Sequence, residues 1–180
     1  MRMAMRNPVS FSLLLLLGMM LVSCREQPAP KVQTETPQLK ESLEKANRYL
    51  VAEEEEDIQN YIARHKLAPI ATGTGLRYQV TQSATGDSIR PGQRVSIDYV
   101  LYNIMGDVLY SSEKDGVKTF EAGCGDVEAG LDEAILHLRK GEVATVIIPS
   151  HLAHGLQGDH DRIPPRATLI YIVKIIDVKE

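Results

Sequence analysis

The sequence predicts an α+β domain in which a twisted antiparallel β-sheet wraps one short helix, preceded by a separate helical segment. Three observations carry this. From Thr72 onward, β-branched and aromatic runs recur between glycines and prolines, as strands and turns do. One amphipathic stretch, "DVEAGLDEAILHLRKGE", interrupts them with Leu131, Ile135 and Leu138 on one face. Before Thr72 the apolar residues instead recur at helical spacing.

Residues 1–23 read as a lipoprotein signal peptide. "MRMAMRNPVS" carries two arginines and no acid, and "FSLLLLLGMM" is apolar but short for a bilayer span. "LVSC" then resembles a lipobox, which implies lipidation of Cys24 as the mature N-terminus. The alternatives are an ordinary secretory signal or an uncleaved anchor. Arg25 after that cysteine, under the sorting rule of enteric bacteria, points to the outer membrane facing the periplasm. Residues 24–37 are polar and proline-punctuated, a tether reaching about 40 Å if semi-extended.

The helical segment, residues 38–68, shows Leu39, Leu43, Ala46 and Leu50, then Ile58, Tyr61, Ile62 and His65, on either side of the acidic run Glu53 to Asp57. One long helix or two short ones fit this pattern. The acidic run reads as a solvated face. The apolar stripe reads as packing within the chain, so the protein is expected to be a monomer, or a weak dimer through this helix. Its mixed surface suggests an appendage that the rest can fold without.

Strands are expected in "GLRYQV", "RVSIDYVLYNI", "DVLYSS", "VKTFEAG", "EVATVIIPS" and "ATLIYIVKIIDV", five or six within residues 72–180. They form a core of adequate size for one domain.

Charge and composition exclude several functions. Loss of Arg2 and Arg6 with the leader takes the formal net charge from −4 to −6, with no basic footprint for nucleic acid. There is no polybasic patch either, so membrane attachment falls to lipid. Of the two cysteines, Cys24 and Cys124, the second has no partner once the first is acylated, and no histidine beside it to make it a nucleophile. His151, His154, Asp159, His160 and Asp161 have ligand chemistry, but two histidines three apart on a loop are read as a solvated loop. No metal or cofactor is expected.

The order of elements and the motifs "GLRYQV", "GCGDVEAGLDEA", "KGEVATVIIPS" and "IPPRATLIYIVKI" together resemble the FK506-binding-protein (FKBP) type of peptidyl-prolyl cis-trans isomerase. "YNIMGDVLYSSEK" further resembles the Bacteroidetes gliding-motility-associated FKBP-like lipoproteins. The resemblance implies an apolar pocket for a substrate proline, covered by the loop that Pro164 and Pro165 lead into the last strand. It implies catalytic roles for Tyr99, Tyr110 and His154. Substrate contacts fall to Leu109, Val127, Glu128, Leu131, Ile163 and Tyr171, with Leu131 as the floor and Glu128 acting through its backbone N–H. Tyr110 is expected to accept a hydrogen bond from Tyr99, where the family has an aspartate. Leu131 replaces a tryptophan, Leu109 a phenylalanine and His154 a tyrosine, and Lys118 stands at an aromatic wall position. The implied function is a membrane-tethered isomerase acting on proline-containing exported polypeptides. The alternative is an FKBP-fold chaperone with little turnover.

Overall fold

The computed structural model describes residues 37–180, so the expected signal peptide, the lipidation site Cys24 and nearly all of the tether lie outside the described residues. The chain divides into two compact units, residues 1–44 and 45–180. The described part of the first is the start of a helix with Leu39 and Leu43 exposed and Lys40 paired to Glu44. That helix, α1, is continuous over Pro37–His65. Proline at its first position suits an N–H that has no helical partner, and Arg64 and His65 complement its C-terminal dipole.

The second unit carries β1 (Ile70–Ala71), β2 (Arg77–Gln82), β3 (Arg94–Asn103), β4 (Val108–Ser111), α2 (Ser112–Asp115), β5 (Lys118–Glu121), α3 (Ala129–Ile135), β6 (Val143–Ile148) and β7 (Leu169–Lys179). The seven strands make one antiparallel sheet, β1-β2-β6-β7-β3-β4, with β5 also paired to β3. The strand beyond the expected six is the two-residue β1. The helix α3 is shorter than its sequence pattern. It is α-helical only to Ile135 and then tightens into i→i+3 bonds through His137 and Leu138, which still bury Leu138.

Alternation along the strands decides the two faces. Val95, Ile97, Tyr99 and Leu101 of β3, with Leu169, Tyr171, Val173 and Ile175 of β7, turn inward onto Leu131, Ala134, Ile135 and Leu138. Gly130 lets α3 approach closely, since a Cβ there would lie 2.3 Å from Ile148 Cγ2. On the opposite face, Ile147 and Ile170 are buried by Ile58 of α1, flanked by Tyr61, Ile62, Leu67, Tyr102 and Ile104.

Residues 45–65 of α1 are therefore not an appendage, and the acidic run is not merely a solvated face. Glu55 takes both oxygens to Arg77 Nη2, at 2.7 and 2.6 Å. Glu54 accepts three hydrogen bonds from Ser150 and Thr168. The stripe of Ile58, Tyr61 and Ile62 packs within the chain as its spacing implies, but the bonds of Glu54 and Glu55 leave no local period, because their partners lie far along the chain.

Candidate functional site

The site arises where β3 loses its strand partner along one edge. Arg94–Ile97 pair with β5 and Val100–Tyr102 pair with β4, leaving Asp98 and Tyr99 in the gap between. The Tyr99 N–H donates instead to Ser112 Oγ at 3.1 Å, at the start of α2. Ser112 in turn donates to the Asp98 carboxylate. A cavity of about 330 Å³ opens beside Tyr99.

Of the nine predicted pocket residues, this cavity brings together Tyr99, Tyr110, Glu128, His154, Ile163 and Tyr171. It does not gather the other three. Leu131 is completely buried in the core under α3, Leu109 packs half-buried against that core, and Val127 faces an adjoining cleft with Phe120. Lys118 also lines it, at the wall position the resemblance implies, and three further lining residues were not assigned from sequence: Leu101, Asp115 and Asp159. Leu101 was findable, two residues beyond Tyr99 on the same strand face. Asp115 was not, because the four-residue α2 leaves no periodic signal. A larger groove of about 530 Å³, between Tyr61, Ile104, Met105 and Ile172, gathers none of the predicted residues.

The walls are aromatic and the fittings are polar. Tyr99 and Tyr171 meet at 5.8 Å between ring centroids, tilted by 45°. The Lys118 ammonium sits 5.4 and 5.7 Å from those two rings, within cation–π range. It also donates to the Tyr171 hydroxyl at 3.3 Å.

Glu128, expected to act through its backbone N–H, also contributes its side chain. Its side chain, 10% exposed, is part of the cavity wall. Oε1 accepts from the Tyr171 hydroxyl at 3.0 Å and from His154 Nε2 at 3.2 Å, with Lys118 Nζ at 3.7 Å. Oε2 is buried without a partner among the described residues. Burial pushes this carboxyl up, but Lys118, its own backbone N–H, His154 and Tyr171 outweigh that and leave it below the usual range. Burial and the Glu128 carboxylate together drive the Tyr171 phenol far up, so it stays a donor.

Tyr110 is also placed differently. No hydrogen bond joins it to Tyr99; its hydroxyl donates to Asp159 Oδ2 at 2.5 Å, with Asp161 at 3.3 Å. The Arg162 guanidinium lies 4.4 Å over the Tyr110 ring and donates to Asp115 and to the Leu109 carbonyl. The tip of the loop before β7 is thus clasped to β4 and α2. Two aspartates on that loop attract the phenol more strongly than a neutral Tyr99 hydroxyl does.

Another loop histidine contacts backbone. His151 Nε2 donates to the Thr74 carbonyl at 3.0 Å. Among the described residues no three His, Cys, Asp or Glu side chains are grouped to hold a metal ion. The Cys124 thiol is exposed, and its bond to Glu121 pushes its pKa up, away from nucleophilic use.

The clasp has a pH signature. Burial alone pushes Asp159 up, but the Tyr110 phenol, the N–H groups of Asp161 and Ile163 and nearby His154 bring it down to about 2. A depressed folded pKa stabilises above the unfolded value, about 3.9, and that stabilisation is lost as pH falls toward the folded one. Between about pH 4 and 2 the clasp should therefore weaken, and lowered Glu128 acts in the same direction. Thermal melts of wild type and Asp159→Asn across this window should converge as pH drops. Parallel curves would show that Asp159 does not titrate with folding.

The second unit is thus an antiparallel sheet wrapped on one helix, with an aromatic cavity at a split strand edge. Among the described residues the cavity presents no activated nucleophile. The family model for FKBP-type peptidyl-prolyl cis-trans isomerases matches residues 86–176, and the chain belongs to this family of enzymes. It is 35% identical over 108 residues to a probable FKBP-type isomerase, FkpA, of Neisseria meningitidis, covering 59% of this chain and 39% of that protein. It is 32% identical over 119 residues to FK506-binding protein 2 of Yarrowia lipolytica, covering 66% of this chain and 81% of that one. The crystal structure of AtFKBP13 superposes with a TM-score of 0.60 at 28% identity, over 63% of this chain and 99% of that one. The chain thus spans well under half of the Neisseria protein, but nearly all of the AtFKBP13 chain.

Proposed function

We propose that the cavity beside Tyr99 takes a substrate proline and that the protein turns the peptide bond preceding it. The observation that carries this is the enclosure of a proline-sized space by Tyr99, Leu101, Ile163 and Tyr171, with polar groups set among them. Rotation about an amide meets a barrier of about 18–20 kcal/mol, because twisting breaks its resonance. The protein needs only to bind the twisted form better than either planar form. Apolar rings favour an amide that has lost charge separation. Tyr99 lines the same space, and its hydroxyl, without a hydrogen-bond partner among the described residues, is a donor available to a carbonyl oxygen, whereas His154 Nε2 is taken by Glu128.

The wider reading is a lipoprotein held by acylated Cys24 at the outer membrane, facing the periplasm and acting on exported polypeptides. "LVSC", the following Arg25 and the polar tether support it, and "YNIMGDVLYSSEK" supports the likeness to gliding-associated lipoproteins. Self-association, if present, falls to the first half of α1, where Leu39, Leu43, Tyr49 and Val51 are exposed. The second reading, a holder of unfolded chains with little turnover, draws on Lys118, which places charge, paired to Glu128, where the family has an aromatic wall.

Tyr110→Asp separates the two readings. The resemblance alone suggests that aspartate here raises activity. In the fold the shorter aspartate gives up the 2.5 Å bond to Asp159 and the ring under Arg162, and adds a third negative charge near Asp159 and Asp161. On a short Xaa-Pro peptide followed by exchange spectroscopy, wild type should accelerate isomerisation and Tyr110→Asp should lower kcat/KM several-fold, the effect of losing about 1–2 kcal/mol. No acceleration by wild type favours the holder. A gain in the variant places the active arrangement elsewhere.

A further inference from the structure

We infer that Glu54, on α1, is a positioning residue for the cavity: its carboxylate holds both roots of the loop that carries His154, Asp159 and Ile163 to the site. The inference rests on the reading of that cavity as the proline site.

The loop from Ser150 to Thr168 is braced within itself. Asp159 accepts from the N–H groups of Asp161 and Ile163, at 2.9 and 2.7 Å. The Arg166 N–H donates to the Gly155 carbonyl at 2.8 Å, and the Gly155 N–H to Ser150 at 2.9 Å. Gly158 adopts φ 69°, and a Cβ there would come within 2.1 Å of the Ile163 carbonyl oxygen. Such a loop moves as a body, so its attachments decide where Ile163 and His154 lie relative to Tyr99 and Tyr171.

The tip is attached through Tyr110 and Arg162. The roots are attached through Glu54. Oε1 accepts the Ser150 N–H at 2.6 Å and the Thr168 hydroxyl at 2.7 Å; Oε2 accepts the Ser150 hydroxyl at 2.9 Å. Ser150 and Thr168 are 8% and 4% exposed, so no solvent replaces these bonds readily. One turn earlier on the helix, the Leu50 carbonyl accepts from Arg166 Nη2 at 3.1 Å. The sheet already fixes the strand ends next to the roots, since Ile148 pairs with Leu169. What the carboxylate adds is the direction in which the loop leaves them. Catalytic geometry is sensitive to displacements of about 1 Å, so a small tilt at the roots matters at the cavity.

The test compares Glu54→Ala, Glu54→Gln and Ile58→Ala in the full chain, at a temperature where circular dichroism shows each folded. Glu54→Ala should lower kcat/KM on a short Xaa-Pro peptide about tenfold. Glu54→Gln keeps an acceptor for the Ser150 N–H and a donor for its hydroxyl, and should recover activity to within about threefold of wild type. Ile58→Ala loosens the same helix–sheet contact away from the roots. It should lower the melting temperature yet hold kcat/KM within about twofold. Hydrogen exchange at Asp161, Ile163 and Arg166 should accelerate relative to β7 amides in Glu54→Ala alone. Wild-type kcat/KM and exchange in Glu54→Ala overturns the inference, as does an equal loss of activity in Ile58→Ala. If wild type shows no isomerisation, the proline-site reading fails while the exchange comparison still decides the role of Glu54.

Discussion

Leu131→Lys is expected to unfold the domain, not merely to empty its cavity. The residue is completely buried among Leu76, Ile135 and Ile148, and is not a cavity wall. Removing a leucine from such a position costs about 2–5 kcal/mol. Burying an ammonium without a partner adds several more, and a cation in the first turn of α3 opposes the helix dipole. The total rivals the net stability of about 5–15 kcal/mol typical of a domain. A drop in melting temperature of about 15 °C or more, or no cooperative transition, is the expected result. Leu131→Met, which conserves volume, should cost under about 1.5 kcal/mol. A lysine variant that melts near wild type would show that its side chain reaches water. As a pocket floor, the place the family resemblance implies, Leu131 would tolerate a charge with the fold intact; its enclosure in the core makes stability the first loss.

A chain beginning at Thr72 is expected to be aggregation-prone and poorly cooperative. It loses Ile58, whose burial is worth about 1.5–3 kcal/mol. It also loses Glu55 from Arg77, a residue only 9% exposed, and Glu54 from buried Ser150 and Thr168. Hydrogen bonds to charged groups are worth about 1.5–3 kcal/mol each, so the combined loss exceeds about 5 kcal/mol. The cut further uncovers Ile147 and Ile170 beside Tyr102 and Ile104, an apolar patch on the sheet, and exposes the edge of β2 by removing β1. Urea unfolding with a dye for exposed apolar surface measures this. A monomeric product with a wild-type transition would show that α1 is dispensable after all.

The sequence by itself determined which residues face inward. Val95, Ile97, Tyr99 and Leu101 alternate in "RVSIDYVL", and Leu131, Ile135 and Leu138 share one helical face, because burial leaves a local period of 2 or 3.6. That pattern, with the family resemblance, brought six of the nine predicted residues to one cavity. Only the tertiary structure decided what the polar atoms do. Tyr110 finds Asp159 across 49 residues, Tyr171 finds Glu128 across 43, and Glu54 reaches Ser150 across 96. A hydrophobic face is satisfied by any apolar neighbour, so its signal lies in the side chain's own position. A hydrogen bond needs one partner at one distance, and the path of the chain over the sheet sets that partner.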